Sequence, residues 1–229
     1  MLNFLINVYV LSLNFIYFAH WKSLWDNFKK SSMSVDTAIA KNMSEPKRLQ
    51  NLSEDELSVE LVSAGVSAIL FIEILRRYQQ QIYYHCRNLL LSHDDADDAA
   101  QNTFIKVWQN LHQFKGESRL RTWVYRIATN ESINLIRKRK PTIDFDEAQP
   151  EMAEMMSEDL YLSGDEIALK LQKALCYLPF KQKLVFTLRY FEDLTYEEIA
   201  VLTSTSEGAL KASYHHAVKK LEIYLSVLR

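Results

Sequence analysis

The sequence predicts an all-α protein, built as two small helical domains joined by an acidic linker, the second domain a helix-turn-helix. Three observations carry that expectation. Glycine and proline number only four each in 229 residues. Helices tolerate such scarcity, whereas sandwiches, barrels and phosphate-cradling enzymes need many more turn residues. Apolar residues recur at three- and four-residue spacing over most of the chain beyond Ser53. A hydrophobic content of 48% with 24% charge supplies a real core under a soluble surface.

The net charge of −2 conceals a segregation. From Lys115 to Lys140 eight cations face two acids, a net of +6, while residues 141–169 hold nine acids and neither lysine nor arginine. A basic block beside an acidic one predicts a nucleic-acid face followed by a solvated linker. Cys86 and Cys176 stand far apart within helical patterns, with no C-x-x-C and no Cys/His cluster. Buried free thiols in a reducing cytosol are expected, and no disulfide framework, metal site or cofactor.

The domains divide as an N-terminal extension over residues 1–52, a helical domain over 53–140, the linker over 141–168 and a helix-turn-helix domain over 169–229. Residues 1–20 are strongly apolar, interrupted by Asn3, Asn7, Ser12 and Asn14. They read as a membrane anchor by length, as a signal peptide lacking its basic start and A-x-A-like site, or as translation begun upstream of Met33 or Met43. The last is preferred, so membrane contact is expected only if residues 1–20 are a true anchor. Residues 22–52 have the low hydrophobicity of a disordered or marginal stretch.

Regular helix begins at Ser53, whose hydroxyl precedes Glu54, Asp55 and Glu56, as a capped N-terminus requires. Gly65 breaks the pattern in two, and the second helix runs through Ile82, Cys86 and Leu90. Ser92 to Asp95 cap the next helix, which turns Ala96, Ala100, Phe104, Val107, Trp108 and Leu111 inward and leaves Asp97, Asp98, Gln101, Asn102 and Lys106 outside. A loop with Gly116 follows. The basic helix beyond it turns Leu120, Val124, Ile127, Ala128 and Leu135 inward and stops at Pro141. It interleaves Trp123 and Tyr125 with arginines, as single-stranded nucleic acid demands: cations for phosphates and flat rings for unstacked bases. Trp123 has an equal claim to be a core side chain.

The acidic linker ends near Gly164, and Leu178-Pro179 marks a turn within the second domain. Thr195 and Glu198 form a capping box. A short helix, a turn at Thr203-Ser204-Thr205 and a longer helix from about Ser206 make a helix-turn-helix. In the longer helix Leu210, Tyr214, Ala217 and Leu221 face inward while Lys211, His215 and Lys219 form a basic stripe.

These residues together resemble the extracytoplasmic-function group of bacterial sigma factors, which direct RNA polymerase to promoters. The strings D-D-A-A-Q-N-T-F-I-K-V-W and T-W-V-Y-R-I-A-T-N are similar to the family's region 2. L-P-F-K-Q-K-L-V-F-T-L-R-Y-F-E-D-L-T-Y-E-E-I-A and G-A-L-K-A-S-Y-H-H-A are similar to its region 4. The resemblance covers Ser53 to Lys140 and Ala174 to about Leu225. It implies a cytoplasmic protein without catalysis of its own, bound to core RNA polymerase, to promoter DNA and to an anti-sigma factor. It implies that Asp97, Asp98, Gln101 and Asn102 dock on the clamp helices of the polymerase β′ subunit. Lys115, Arg119, Arg121, Trp123, Tyr125, Arg126, Asn130, Arg137, Lys138 and Arg139 would meet the −10 element, where capture of an unstacked base offsets a few kcal/mol of unstacking. Ser206, Lys211, Ser213, His215, His216 and Lys219 would meet the −35 element in the major groove. The acidic linker would thread toward the polymerase active-centre and RNA-exit channels. Three positions depart from the family pattern: Ser213 and His216 stand where arginine is frequent, and Asn102 where glutamate is. Fewer cations on the last helix imply a weaker phosphate anchor there.

A stand-alone helix-turn-helix regulator would account for Thr195 to Leu221 and leave the Asp94 to Lys140 pattern unexplained. An enzyme finds no P-loop, G-x-G-x-x-G or triad-like motif, and no small-molecule substrate is expected. A membrane-anchored interaction protein rests on residues 1–20 alone.

Overall fold

The computed structural model describes residues 45–227 apart from 66, 91, 140–170 and 172. Every regular element among the described residues is helical. The first module comprises α1 (Glu45–Gln50), α2 (Glu54–Ala64), α3 (Ala68–Leu90), α4 (His93–Asn110), a 3₁₀ turn (Leu111–Gln113) and α5 (Leu120–Arg139). The second comprises α6 (Phe180–Phe186), continued by a π-helical turn (Thr187–Phe191), then α7 (Tyr196–Thr203) and α8 (Glu207–Val227).

Local chemistry sets the boundaries. Ser53 and Glu56 complete a capping box at the start of α2, with Ser53 N donating to Glu56 Oε2 at 2.7 Å and Glu56 N to Ser53 Oγ at 3.2 Å. Gly65 separates α2 from α3 at φ 80°, and Gly116 turns the chain toward α5 at φ 74°, both in the left-handed region that glycine enters without a Cβ penalty. Ser92 caps α4 by accepting from Asp95 N at 3.4 Å. The second amide of α5 finds a distant partner: Arg121 N donates to Glu54 Oε1 of α2 at 2.9 Å.

α3 is the spine, packed by α4 and α5. Ile74, Ile82 and Cys86 of α3, Ala96, Ala100, Phe104 and Val107 of α4, and Leu120, Val124 and Ala128 of α5 are all buried, as their spacing predicts. Cys86 and Cys176 are buried free thiols, and burial pushes their pKa values up to about 12 and about 11.

One expectation is corrected at the N-terminal edge. Residues 45–50, assigned from composition to a disordered or marginal stretch, form α1 and pack on α3. Leu49 is buried, and Arg77 Nη2 donates to the carbonyls of Leu49 and Leu52 at 2.7 and 2.8 Å. Six residues cannot hold a helix in water, so this one depends on its tertiary contacts. The apolar segment 1–20 and the acidic linker 141–168 lie outside the described residues. Among the described residues no helix is long and apolar enough to cross a membrane.

The second module repeats the capping logic. Thr195 N donates to Glu198 Oε2 at 2.8 Å and Glu198 N to Thr195 Oγ1 at 3.2 Å. Ser204 occupies the left-handed region (φ 54°, ψ 38°) at the turn, and Ser206 caps α8 through Ala209 N at 3.4 Å. Ala174, Leu175, Leu178, Phe186, Ala217 and Leu221 form a small core of the module's own.

The two modules are docked. Phe180, Leu184, Leu188, Leu194, Ile199 and Leu202 join the same buried cluster as the α3 and α5 side chains. Lys183 of α6 is 6% exposed, and its Nζ donates to the carbonyl of Leu89, at the C-terminal end of α3, at 3.0 Å. A cation at that end of a helix meets the negative pole of the dipole. Burial nevertheless lowers its pKa to about 8.

Two outcomes are expected. Thr195→Ala removes one half of the α7 capping box and should cost about 1 kcal/mol of stability, read from thermal or urea unfolding. For Lys183, the folded protein releases a proton near pH 8 that the unfolded chain keeps until about 10.5. Between those values the unfolded state binds more protons, so stability should rise with pH, by up to about 3 kcal/mol. Lys183→Met should flatten the rise in urea titrations at stepped pH; an identical slope in both proteins would refute the linkage.

Candidate nucleic-acid interface

On α4, Asp97, Asp98, Gln101 and Asn102 follow an i, i+1, i+4, i+5 spacing that places them along one stripe of the helix. Asp98 and Asn102 are exposed, while Asp97 and Gln101 are partly covered. The opposite side, Ala96, Ala99, Ala100, Thr103 and Phe104, is buried against the spine.

The loop and α5 present the opposite charge. Lys115, Arg119, Arg126, Asn130, Arg137 and Lys138 are exposed, and Arg121 is half-buried. Among the described residues no ion pair engages Lys115, Arg126 or Lys138, which leaves their charge toward solvent. The side chain of Arg139 lies outside the described residues. Trp123 is half-buried, its ring edge-on to Phe114 at 5.6 Å between centroids, so it supports the loop that carries Lys115 and keeps part of its surface exposed.

Between α4 and α5 runs a polar cleft of about 380 Å³, lined among others by Lys106, Asn110, Asn130, Asn134 and Arg137. Lys106 Nζ donates to Glu131 at 2.5 Å and Asn134 Nδ2 to the same carboxylate at 3.4 Å. Glu131 thereby fixes a donor-rich rim. Lys106 and Asn134 were not among the sequence-derived site residues. The spacing of Asn130, Asn134 and Arg137 along one helical face was the signal that would have found the second of them.

The expectation for Tyr125 as an accessible aromatic is corrected. Tyr125 is 0% exposed, and its hydroxyl donates a short hydrogen bond to the carboxylate of Glu192 in the second module. Its ring meets His85 edge-on at 5.0 Å. Arg121 Nη2 donates to the Glu192 carbonyl at 2.5 Å and lies 3.7 Å from its Oε2. His85 Nδ1 is 3.9 Å from Oε1, while its Nε2 pairs with Thr129 Oγ1 at 3.0 Å. Burial holds the imidazole neutral, with a pKa near 3. Burial also raises the Glu192 carboxyl above the usual range, against the opposing pull of Tyr125 and Arg121. Nearer the surface Arg119 Nη1 approaches Glu198 Oε1 at 3.4 Å. Sequence reading could not supply Glu192 or Glu198 as partners, because nothing local marks a contact 67 or 79 residues away.

A π-helical turn aims Glu192. Its amide donates to the Thr187 carbonyl at 3.3 Å, five residues back, and Asp193 follows at φ 50° with its carboxylate 3.0 Å from Arg189 Nη1.

On α8, Lys211, His215 and Lys219 are exposed at four-residue spacing, His216 is exposed beside them and Ser213 is half-buried. Ser206 is exposed at the helix start. Lys211 pairs with Glu207 at 3.0 Å and stands 5.5 Å above the Tyr196 ring. Both partners of that ion pair are exposed, so it holds Lys211 only weakly. Among the described residues no group of three or more His, Cys, Asp or Glu side chains is arranged to hold a metal.

Comparison with known proteins agrees with this layout. Residues 74–142 match the sigma-70 region 2 family model and residues 166–221 the sigma-70 region 4 model. The ECF RNA polymerase sigma factor SigW of Bacillus subtilis is 32% identical over 161 residues, covering 66% of this chain and 86% of SigW. Among solved structures, the sigma factor RpoE in complex with the anti-sigma factor NepR from Bartonella quintana superposes with a TM-score of 0.55 at 23% identity, over 69% of this chain and 98% of the other. CnrH in complex with the cytosolic domain of CnrY gives 0.56 at 21% identity, over 76% and 97%. These two share the fold.

Proposed function

The chain belongs to the extracytoplasmic-function group of RNA polymerase sigma factors, non-enzymatic subunits that direct polymerase to promoters, and from that premise we propose how its faces divide the work. Residues 53–140 act as region 2, residues 169–229 as region 4, and residues 141–168 as the linker between them. Asp97, Asp98, Gln101 and Asn102 on α4 bind the β′ clamp helices of core polymerase. Lys115, Arg119, Arg121, Arg126, Arg137, Lys138 and Arg139 hold the phosphates of the −10 element, while Trp123 and Asn130 receive its unstacked bases. Ser206, Lys211, Ser213, His215, His216 and Lys219 on α8 engage the −35 element.

The observation that carries this reading is the pairing of unlike surfaces on one helix pair. α4 turns Asp98 and Asn102 outward, α5 turns Arg126, Asn130 and Arg137 outward, and a donor-rich cleft of about 380 Å³ lies between them. Cations neutralise phosphates, and amide and guanidinium donors read exposed base edges. The partial exposure of Trp123 supports a stacking role at a surface that is otherwise polar. The RpoE relative is held by an anti-sigma factor and CnrH by a cytosolic domain; a protein inhibitor of the same kind is proposed here, acting in the cytoplasm where polymerase and promoter meet.

Run-off transcription tests the whole reading. Purified protein added to core polymerase should produce promoter-specific transcripts, and Asp98→Arg combined with Asn102→Arg should abolish them by weakening the complex with core. A chain that binds DNA and forms no complex with core would be a regulator instead. Replacing Arg137 and Lys138 with alanine should weaken holoenzyme binding across promoter sequences and flatten the dependence of log affinity on log salt by roughly 0.9 per lost contact. An unchanged slope would remove both residues from the phosphate set.

A further inference from the structure

Among the described residues Glu131 is the one acid that lines the polar cleft between α4 and α5, beside Lys106, Asn130, Asn134 and Arg137. Phosphates repel a carboxylate, so Glu131 has no part in holding the backbone of −10 DNA. Nor does anchoring Lys106 account for it. The lysine side chain is 45% exposed and the carboxylate side chain 10%, and an ion pair so open to water on one side contributes little. Both donors that reach the carboxylate, Lys106 Nζ at 2.5 Å and Asn134 Nδ2 at 3.4 Å, bond to Oε1. No hydrogen bond from the described residues reaches Oε2, and it is not among the oxygens sealed from solvent without a partner. Glu131 is thus held by one oxygen and keeps the other for the cleft. Asn130, which receives an unstacked base in the preceding reading, precedes it on α5 and lines the same space.

A carboxylate oxygen accepts and does not donate, so it suits a base edge that donates. Cytosine offers the N4 amino group at the end of its edge, where thymine sets the O4 carbonyl. The one donor of thymine, N3–H, lies between two carbonyl oxygens that crowd a carboxylate with like partial charge. A volume of about 380 Å³ falls in the range of small-ligand sites and admits one base. We propose that Glu131 is a specificity-determining residue of the −10 contact: Oε2 accepts from the exocyclic amino group of the unstacked base, so the cleft takes cytosine and rejects thymine. Lys106 and Asn134 are positioning residues, which hold the carboxylate through its other oxygen. This inference rests on the assignment of Asn130 and Arg137 to −10 DNA.

The full chain assembled with core polymerase provides the test. Fluorescence anisotropy measures its affinity for a labelled single strand of deoxyuridine, which carries O4 without the methyl group of thymine, and for the same strand bearing one dC at each position in turn. At one position dC should bind roughly tenfold tighter than dU, the scale of one hydrogen bond to a charged group. Glu131→Gln keeps an oxygen for Lys106 and sets an amide N–H₂ in the place of Oε2, so the preference at that position should vanish or turn toward dU. Equal binding of dC and dU at every position by the unsubstituted chain would overturn the proposal. So would a preference that Glu131→Gln leaves unaltered, or a loss of affinity for both strands alike, because a purely structural role moves both together. Asn130→Ala combined with Arg137→Ala separates the two ideas: if that variant binds both strands as the unsubstituted chain does, the −10 assignment fails; if its binding falls while the dC preference ignores Glu131→Gln, the −10 assignment stands and only the base selection fails.

Discussion

A carboxylate from one module seated in the interior of the other is the constraint around which this molecule is arranged. Glu192 is 6% exposed and lies among Tyr125, Arg121 and His85, side chains of α5 and α3. Taking a carboxylate out of water costs several kcal/mol unless donors replace the lost hydration. The Tyr125 hydroxyl supplies one donor directly, and Arg121 lies close enough to offset its charge. The neutral His85 adds no charge to the site. Losing one partner from such a set costs far more than losing a surface pair, whereas Arg119–Glu198, with Arg119 well exposed, contributes little to holding the modules together.

That arrangement makes α5 a helix with two sets of obligations. One side is the ordinary inner face, Leu120, Val124 and Ala128, and it would be the same in any three-helix packing. Another carries Arg126, Asn130, Arg137 and Lys138 outward, unaffected by docking. Arg121 and Tyr125 lie between the two sets, at a border that is interior in the docked chain. Ambiguous residues of this sort are where a protein can couple its shape to its ligand, because their surroundings change with the arrangement of the modules.

Much of the fold was legible because its determinants are local. Ser53 with Glu56 and Thr195 with Glu198 declare helix starts within four residues, and Gly65 and Gly116 stand where the backbone needs positive φ. The inward stripe of α4 follows from periodicity alone, as does the outward position of Asp98 and Asn102. Distance defeated the rest. α1 is too short to show a period and is held by a guanidinium 25 and 28 residues along the chain. Lys183 sits in the string K-Q-K, which reads as a solvated surface, yet it is buried because a helix end from the other module needs a donor. Tyr125 had the composition of a stacking platform, and its placement is decided by Glu192, beyond an acidic linker that carries no signal of where the second module rests.

The π turn at Thr187–Phe191 has a consequence for how finely the seating of Glu192 is set. It takes more residues into each turn than the α-helix before it, so Glu192 stands at a different angle about the axis from the one that α geometry would give it. Were the same five residues wound as α-helix, Glu192 would turn away from Tyr125 and Arg121, while the capping box at Thr195 and the helix-turn-helix beyond it would keep their internal structure. Whether the modules clasp one another is thus separable, by the winding of one turn, from the internal order of either.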